Sequence, residues 1–177
     1  MKSTRLLFTL ATAMLFFATS NAEPVKVGDA APSVTGTTDT GAKLDLADVY
    51  RQHAYTLVYF YPKADTPGCT KQGCSLRDGY EALTKIGVAV IGVSHDDVKA
   101  QTEFKQKYNL PFTLIADTDK TVINAFGVPT RNVPMVGEFA SRSAYLIKDG
   151  KIVYTDYKGT TTEQAKVILD FIAAQKS

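Results

Sequence analysis

The chain has 177 residues, 45% of them hydrophobic and 21% charged, which is the make-up of an ordinary soluble domain with a single core. Lys and Arg number 20 against 18 Asp and Glu, a formal charge of +2 with no basic cluster, so nucleic acid and acidic membrane surfaces are excluded as electrostatic partners. No repeat or low-complexity tract suggests a solenoid or a linker.

The first element is a leader. Lys2 and Arg5 precede an almost wholly apolar run from Leu6 to Ala18, and Ser20-Asn21-Ala22 offers small residues at the positions that a signal peptidase reads. The run is shorter than the roughly 20 residues that span a bilayer. Residues 1–22 are therefore expected to be a signal peptide and 23–177 the mature domain, periplasmic or secreted, without stable membrane association. The alternative is an uncleaved N-terminal anchor. Removing Lys2 and Arg5 from the 20 basic residues leaves 18, equal to the 18 acidic ones.

Residues 23–43 read as an extended entry with turns or a short hairpin. Thr56 to Tyr61 is aromatic and β-branched, a buried strand bounded by Pro62, and Val88 to Val93 is apolar on both faces, as in a central parallel strand. Between them, Pro67 to about Lys85 has the length of one helix. Asp96 to Tyr108 is amphipathic and is expected to stop at Pro111. A short strand (112–116), a short helix (121–126) and a hairpin around Asp149-Gly150 follow. A last helix, 162–174, puts Ala165, Ile168, Leu169 and Ile172 on one face. This order predicts an α/β fold of thioredoxin-like type, a central mixed β-sheet flanked by helices.

Cys69 and Cys74 are the only cysteines. In an exported protein an even count suggests a structural disulfide, but the local sequence argues otherwise. Thr66 suits an N-cap and Pro67 the first helical position, which puts Cys69 in a first turn whose unpaired N–H groups favour thiolate over thiol. Five residues along a helix separate two Cα atoms by about 8–9 Å, more than the roughly 7 Å a disulfide tolerates. The two thiols can bridge only if the helix opens, as suits a redox switch rather than a staple. Gly73 eases such opening.

The run from Tyr59 to Lys71 resembles the active-site segment of peroxiredoxins, in particular the bacterioferritin-comigratory or peroxiredoxin Q subfamily. Pro62, Thr66 and Cys69 meet its Pro-x-x-x-Thr-x-x-Cys pattern and Cys74 its resolving cysteine. The segments Gly92 to Ser94, Leu110 to Phe112 and Ala116-Asp117 are similar as well. The resemblance implies a thiol peroxidase that reduces hydrogen peroxide and organic hydroperoxides without cofactor or metal. Cys69 would attack the peroxide and become a sulfenic acid, Thr66 would hydrogen-bond the peroxide, and Pro62 would shield the site. Arg142, ahead of an apolar strand, would hold both thiolate and peroxide. Cys74 would close a disulfide that a thioredoxin-like electron donor reduces, all within a monomer. The chain departs from the subfamily pattern in lacking Trp, in a diverged stretch from 129 to 141 that would form the pocket rim, and in His95. Without Cys69 beside them, Thr66 and Pro67 would be ordinary helix-start residues, and Arg142 an ordinary surface cation. Arg77 has two readings, a local partner for Asp78 or a second support for the thiolate.

Two other readings stay open on residues alone. A periplasmic thiol–disulfide oxidoreductase of the same fold would use Cys-x-x-Cys, whereas four residues separate these cysteines; Pro134 would be its pocket proline. A non-enzymatic domain would carry an inert bridge. His53 and His95 lack metal-ligand spacing with the cysteines.

Overall fold

The aromatic and β-branched run from Tyr55 to Tyr61 is buried along its whole length, and the rest of the molecule is arranged around it. The computed structural model describes residues 23–135 and 137–175; the leader expected over 1–22 lies outside them. In chain order the elements are β1 (Thr35–Thr37), β2 (Lys43–Asp45), α1 (Leu46–Gln52), β3 (Tyr55–Phe60), α2 (Pro67–Asp78), α3 (Tyr80–Lys85), β4 (Val88–Ser94) and α4 (Val98–Tyr108). Then come β5 (Thr113–Ala116), α5 (Thr121–Ala125), β6 (Thr130–Val133), β7 (Gly137–Ala140), β8 (Ser143–Lys148), β9 (Lys151–Asp156) and α6 (Gln164–Ala174).

The main sheet has the order β5-β4-β3-β8-β9, with β3, β4 and β5 parallel and β8 and β9 antiparallel additions. Alternate residues of β3 feed two cores. Leu57 and Tyr59 pack with Leu76, Leu83, Phe104 and Ile168 on one face, under α2, α3, α4 and α6. Val58 and Phe60 pack with Leu46, Ile123 and Phe126 on the other, under α1 and α5. This is the expected thioredoxin-like arrangement of a mixed sheet flanked by helices. No helix of the described residues is long and apolar enough to cross a membrane.

The register explains where chemistry can gather. Ser143 of β8 pairs with Phe60 of β3, and Asp156 of β9 with Ala144 of β8. The end of β3, the start of β8 and the end of β9 therefore meet at one edge, together with Ser94 at the end of parallel β4. Ligands of open α/β sheets bind outside such carboxyl ends.

Three expectations need correcting. The segment from Pro67 to Lys85 is two helices rather than one, broken at Gly79. A Cβ there would lie 2.5 Å from the Cβ of Ala165, so the break lets α6 press against the chain where α2 turns into α3. Helix α4 ends at Tyr108, capped by the left-handed backbone of Asn109 rather than stopped by Pro111 itself. Finally, α1 and the β6–β7 hairpin form where the sequence pattern gave no element; Asp45 starts α1 by accepting from Ala47 N at 2.9 Å.

Gly79→Ala is expected to destabilise the fold by about 1–3 kcal/mol through this clash, read by urea unfolding, and Ala165→Gly in the same chain should recover most of the loss. An unchanged midpoint for the single variant would mean that α6 is not seated on Gly79.

Candidate active site at the start of the second helix

Cys69 is the third residue of α2 and is 1% exposed. Thr66 precedes the helix in extended conformation and Pro67 opens it, as the residue types dictate. The expected side-chain cap is absent: the Thr66 hydroxyl donates to the Lys63 carbonyl at 3.0 Å instead of accepting from the helix. With no side chain capping α2, the positive end of the helix is left to act on the Cys69 sulfur.

The second source of positive charge is Arg142, immediately before β8. The β3–β8 register delivers it to this edge, and its Nη2 donates to Cys69 Sγ at 3.2 Å. Two contacts hold it there. Its Nη1 donates to Gln72 Oε1; Gln72 is wholly buried and passes the load on, its Nε2 donating to Gln164 Oε1 at 3.0 Å at the head of α6. From the other side comes Gly159, at φ 79°, where a Cβ would stand 2.7 Å from Arg142 Cδ. The turn carrying Gly159 is wound around Asp156, whose carboxylate accepts from the backbone N–H of Lys158, Gly159 and Thr160 at 2.8, 3.2 and 2.9 Å. Burial pushes the Asp156 carboxyl up, but these amide bonds outweigh it and hold it below its usual range.

The loop before α2 is pinned as firmly. Asp96 accepts from Ala64 N and from Ser94 Oγ, both at 2.7 Å. Asp65, at φ 57°, accepts from Lys107 Nζ at 2.7 Å and Tyr108 Oη at 2.6 Å, bonds that hold its carboxyl below the usual range. Tyr59 shares the core cluster of Cys69, and burial pushes its phenol well above the usual value. Cys69 thus has a neutral, low-dielectric floor, against which a nearby cation acts more strongly than in water.

Cys74 is half-buried in the same helix, and both cysteines are free thiols. Arg77 turns away from Cys69: it pairs with Asp78 at 2.8 Å and donates to the Tyr108 carbonyl at 2.9 Å. Asp78 raises its pKa most, and nearby Cys74 adds to this. His95 spans two carbonyls, Glu138 O at 3.2 Å and Thr118 O at 2.8 Å, and so ties the β6–β7 hairpin to the sheet edge. Pro134 lies in the turn of that hairpin. Above Arg142 a cleft of about 400 Å³ is lined by Pro62, by Val133 and Phe139 of the hairpin and by Tyr157. The structure therefore brings Pro62, Thr66, Cys69 and Arg142 to one end of α2 and places Cys74 further along it. Gln72, Gln164, Asp96, Asp156 and Gly159 carried no sequence signal, because a buried amide or a turn carboxylate is an everyday residue until its partner is known.

The chain matches the AhpC/TSA family over residues 27–155. It is 52% identical over 104 residues to a putative peroxiredoxin bcp of Coxiella burnetii, covering 59% of this chain and 68% of the relative. It is 40% identical over 154 residues to peroxiredoxin Bcp of Escherichia coli K12, covering 84% and 96%. Among solved structures, peroxidoxin BcpB of Mycobacterium tuberculosis superposes with a TM-score of 0.78 at 27% identity, over 86% of this chain and 99% of the other.

Gly159→Ala should displace Arg142 from the sulfur. Stopped-flow oxidation of reduced protein by hydrogen peroxide is expected to slow by about tenfold or more, since small misplacements of an acting group cost that much. Wild-type speed would mean that Arg142 is not held by this turn.

Proposed function

We infer the reaction from a plain premise: the chain belongs to the AhpC/TSA family and is a peroxiredoxin of the Bcp and peroxiredoxin Q type, a thiol peroxidase. In our reading Cys69 is the nucleophile. Its thiolate attacks one oxygen of the hydroperoxide, the O–O bond breaks, Cys69 becomes a sulfenic acid, and the other oxygen leaves as water or an alcohol after taking a proton. The observation that carries this assignment is the Arg142 Nη2 to Cys69 Sγ contact of 3.2 Å at an uncapped helix start. Arg142 has donors to spare for the charge that develops on the peroxide oxygens. Thr66 already donates its proton to Lys63 O, so its oxygen is free to accept the hydroperoxide O–H. Pro62, on the cleft wall, limits water at the site.

Cys74 then attacks the sulfenic sulfur; the S–S bond forms and the oxygen leaves as water. On intact α2 the two Cα atoms are about 8–9 Å apart, so this step needs the helix to open. Opening breaks the Gln72–Gln164 bond of 3.0 Å and the bond of 3.3 Å from Ala165 N to Ser75 Oγ, both of which dock α2 on α6. A thioredoxin-like dithiol restores the two thiols by exchange. One chain suffices for the cycle, consistent with a monomer. Export to the periplasm or medium belongs to the same reading and rests on the sequence of residues 1–22 alone.

One equivalent of hydrogen peroxide tests the assignment. Wild type should end as a disulfide by mass, with faster amide exchange from Cys69 to Asp78 and unchanged exchange around Val90. Cys74→Ser should stop at the sulfenic acid, and Cys69→Ser should not react. Turnover retained by Cys69→Ser and lost by Cys74→Ser would reverse the two roles; a wild type that stops at the sulfenic acid would remove Cys74 from the cycle.

A further inference from the structure

We propose that Asp96 is a positioning residue of the peroxidase site. It holds the peptide group between Lys63 and Ala64 so that the carbonyl takes the Thr66 proton, which leaves the Thr66 oxygen open to hydroperoxide. The inference rests on the peroxidase reading and adds a residue to those already placed in it. Asp96 Oδ2 accepts from Ala64 N at 2.7 Å, and the Thr66 hydroxyl donates to Lys63 O at 3.0 Å. The two bonds use the two ends of one peptide group. A trans peptide is planar, with N–H and C=O pointing opposite ways, so the carboxylate that fixes one end fixes the other.

Thr66 has the residue type and the extended backbone of an N-cap, and such a residue ordinarily spends its oxygen on the N–H groups of the first turn. Here no side chain caps α2. The partner that wins is the Lys63 carbonyl, and it is available only while the Lys63–Ala64 peptide keeps this orientation. Without the Asp96 acceptor that peptide is free to turn, and the Thr66 hydroxyl loses its partner. Its oxygen then falls back on the helix N–H groups, turned away from the hydroperoxide.

Asp96 is itself aimed by a buried chain of hydrogen bonds. Gln101 Nε2 donates to the Ile115 carbonyl at 2.9 Å and to Ser94 Oγ at 2.8 Å, and its Oε1 accepts from Tyr61 Oη. A carbonyl can only accept, so the Ile115 contact fixes which end of the amide is nitrogen. Both amide protons are then used, and Ser94, having accepted one, gives its own proton to Asp96 Oδ2 at 2.7 Å. Tyr61, Gln101 and Ser94 are all wholly buried. Burial pushes the Tyr61 phenol well above its usual value, so it stays a donor. Every proton from Tyr61 to Ser94 is passed towards Asp96, and bonds that run in one direction reinforce one another. The chain thereby sets one carboxylate oxygen in one place, opposite Ala64 N.

The test is a double-mutant cycle read by stopped-flow oxidation of reduced protein with hydrogen peroxide. Asp96→Ala and Thr66→Val are each expected to slow the reaction by about tenfold, as the loss of one hydrogen bond in the transition state allows. The double variant should be no slower than Thr66→Val alone, because Asp96 acts through the Thr66 hydroxyl. Asp96→Asn, which keeps an oxygen for Ala64 N, should recover most of the rate. In wild type the Ala64 amide should resist exchange although it lies in no helix or strand. Effects that multiply to about a hundredfold in the double variant would overturn the inference, since Asp96 would then act on the loop at large. So would unhindered exchange at Ala64, a result that depends on no variant folding. An unchanged rate in Thr66→Val would overturn the role given to Thr66 and the inference with it, and a wild type inert to hydrogen peroxide would overturn the peroxidase reading itself.

Discussion

The contact between the Arg142 guanidinium and the Cys69 sulfur is the constraint on which the rest of the molecule is built. It joins residues 73 positions apart in sequence, and no local propensity could bring them together. The pairing of Ser143 with Phe60 in the sheet does so, and every element that fixes that register serves the contact indirectly. A cation and a helix start converge on one sulfur over a floor of buried aromatic rings, where water cannot dilute their effect. Three of the buried polar residues gather around this point. Gln72, Gln164 and Asp156 are all buried, and each holds either Arg142 or a segment that touches it.

The same helix faces opposed demands. It must be intact for Cys69 to sit beneath Arg142, and a bridge to Cys74 requires it to open. The architecture limits what opening involves. Because Gly79 breaks the segment, α2 is a unit of 12 residues that can loosen without dragging α3 off the sheet. Its polar links to α6 are the amide bond from Gln72 and the Ser75 hydroxyl contact, and a net hydrogen bond contributes only about 1 kcal/mol. The strands below take no part, and β3 and β4 keep their pairing whichever way α2 is arranged.

Much of the fold was legible because periodicity and turn chemistry agree. β3, β4, the Asp149-Gly150 hairpin and α6 follow directly from apolar runs and one turn signal. α1 and the β6–β7 hairpin escaped because they are short and carried by tertiary contacts; His95 and Lys120, which hold Glu138, belong to other elements. The break at Gly79 was hidden because its cause, Ala165, lies far along the chain. At the site, Pro62, Thr66, Cys69 and Arg142 were nameable from a motif, whereas the residues that aim them were not. Thr66 shows the difference: its type suggested an N-cap, yet its proton goes to Lys63 O. In the mechanism we propose, that geometry frees its oxygen to accept from the hydroperoxide.

The most direct measurement is the second-order rate constant for oxidation of Cys69 by hydrogen peroxide in Arg142→Ala, with the unfolding midpoint recorded beside it. If the guanidinium stabilises the sulfur and the developing oxygen charge, the rate constant falls by about a hundredfold or more while the fold persists. A rate constant within about twofold of wild type in a folded variant would mean that the helix start alone activates Cys69 and that Arg142 is a bystander.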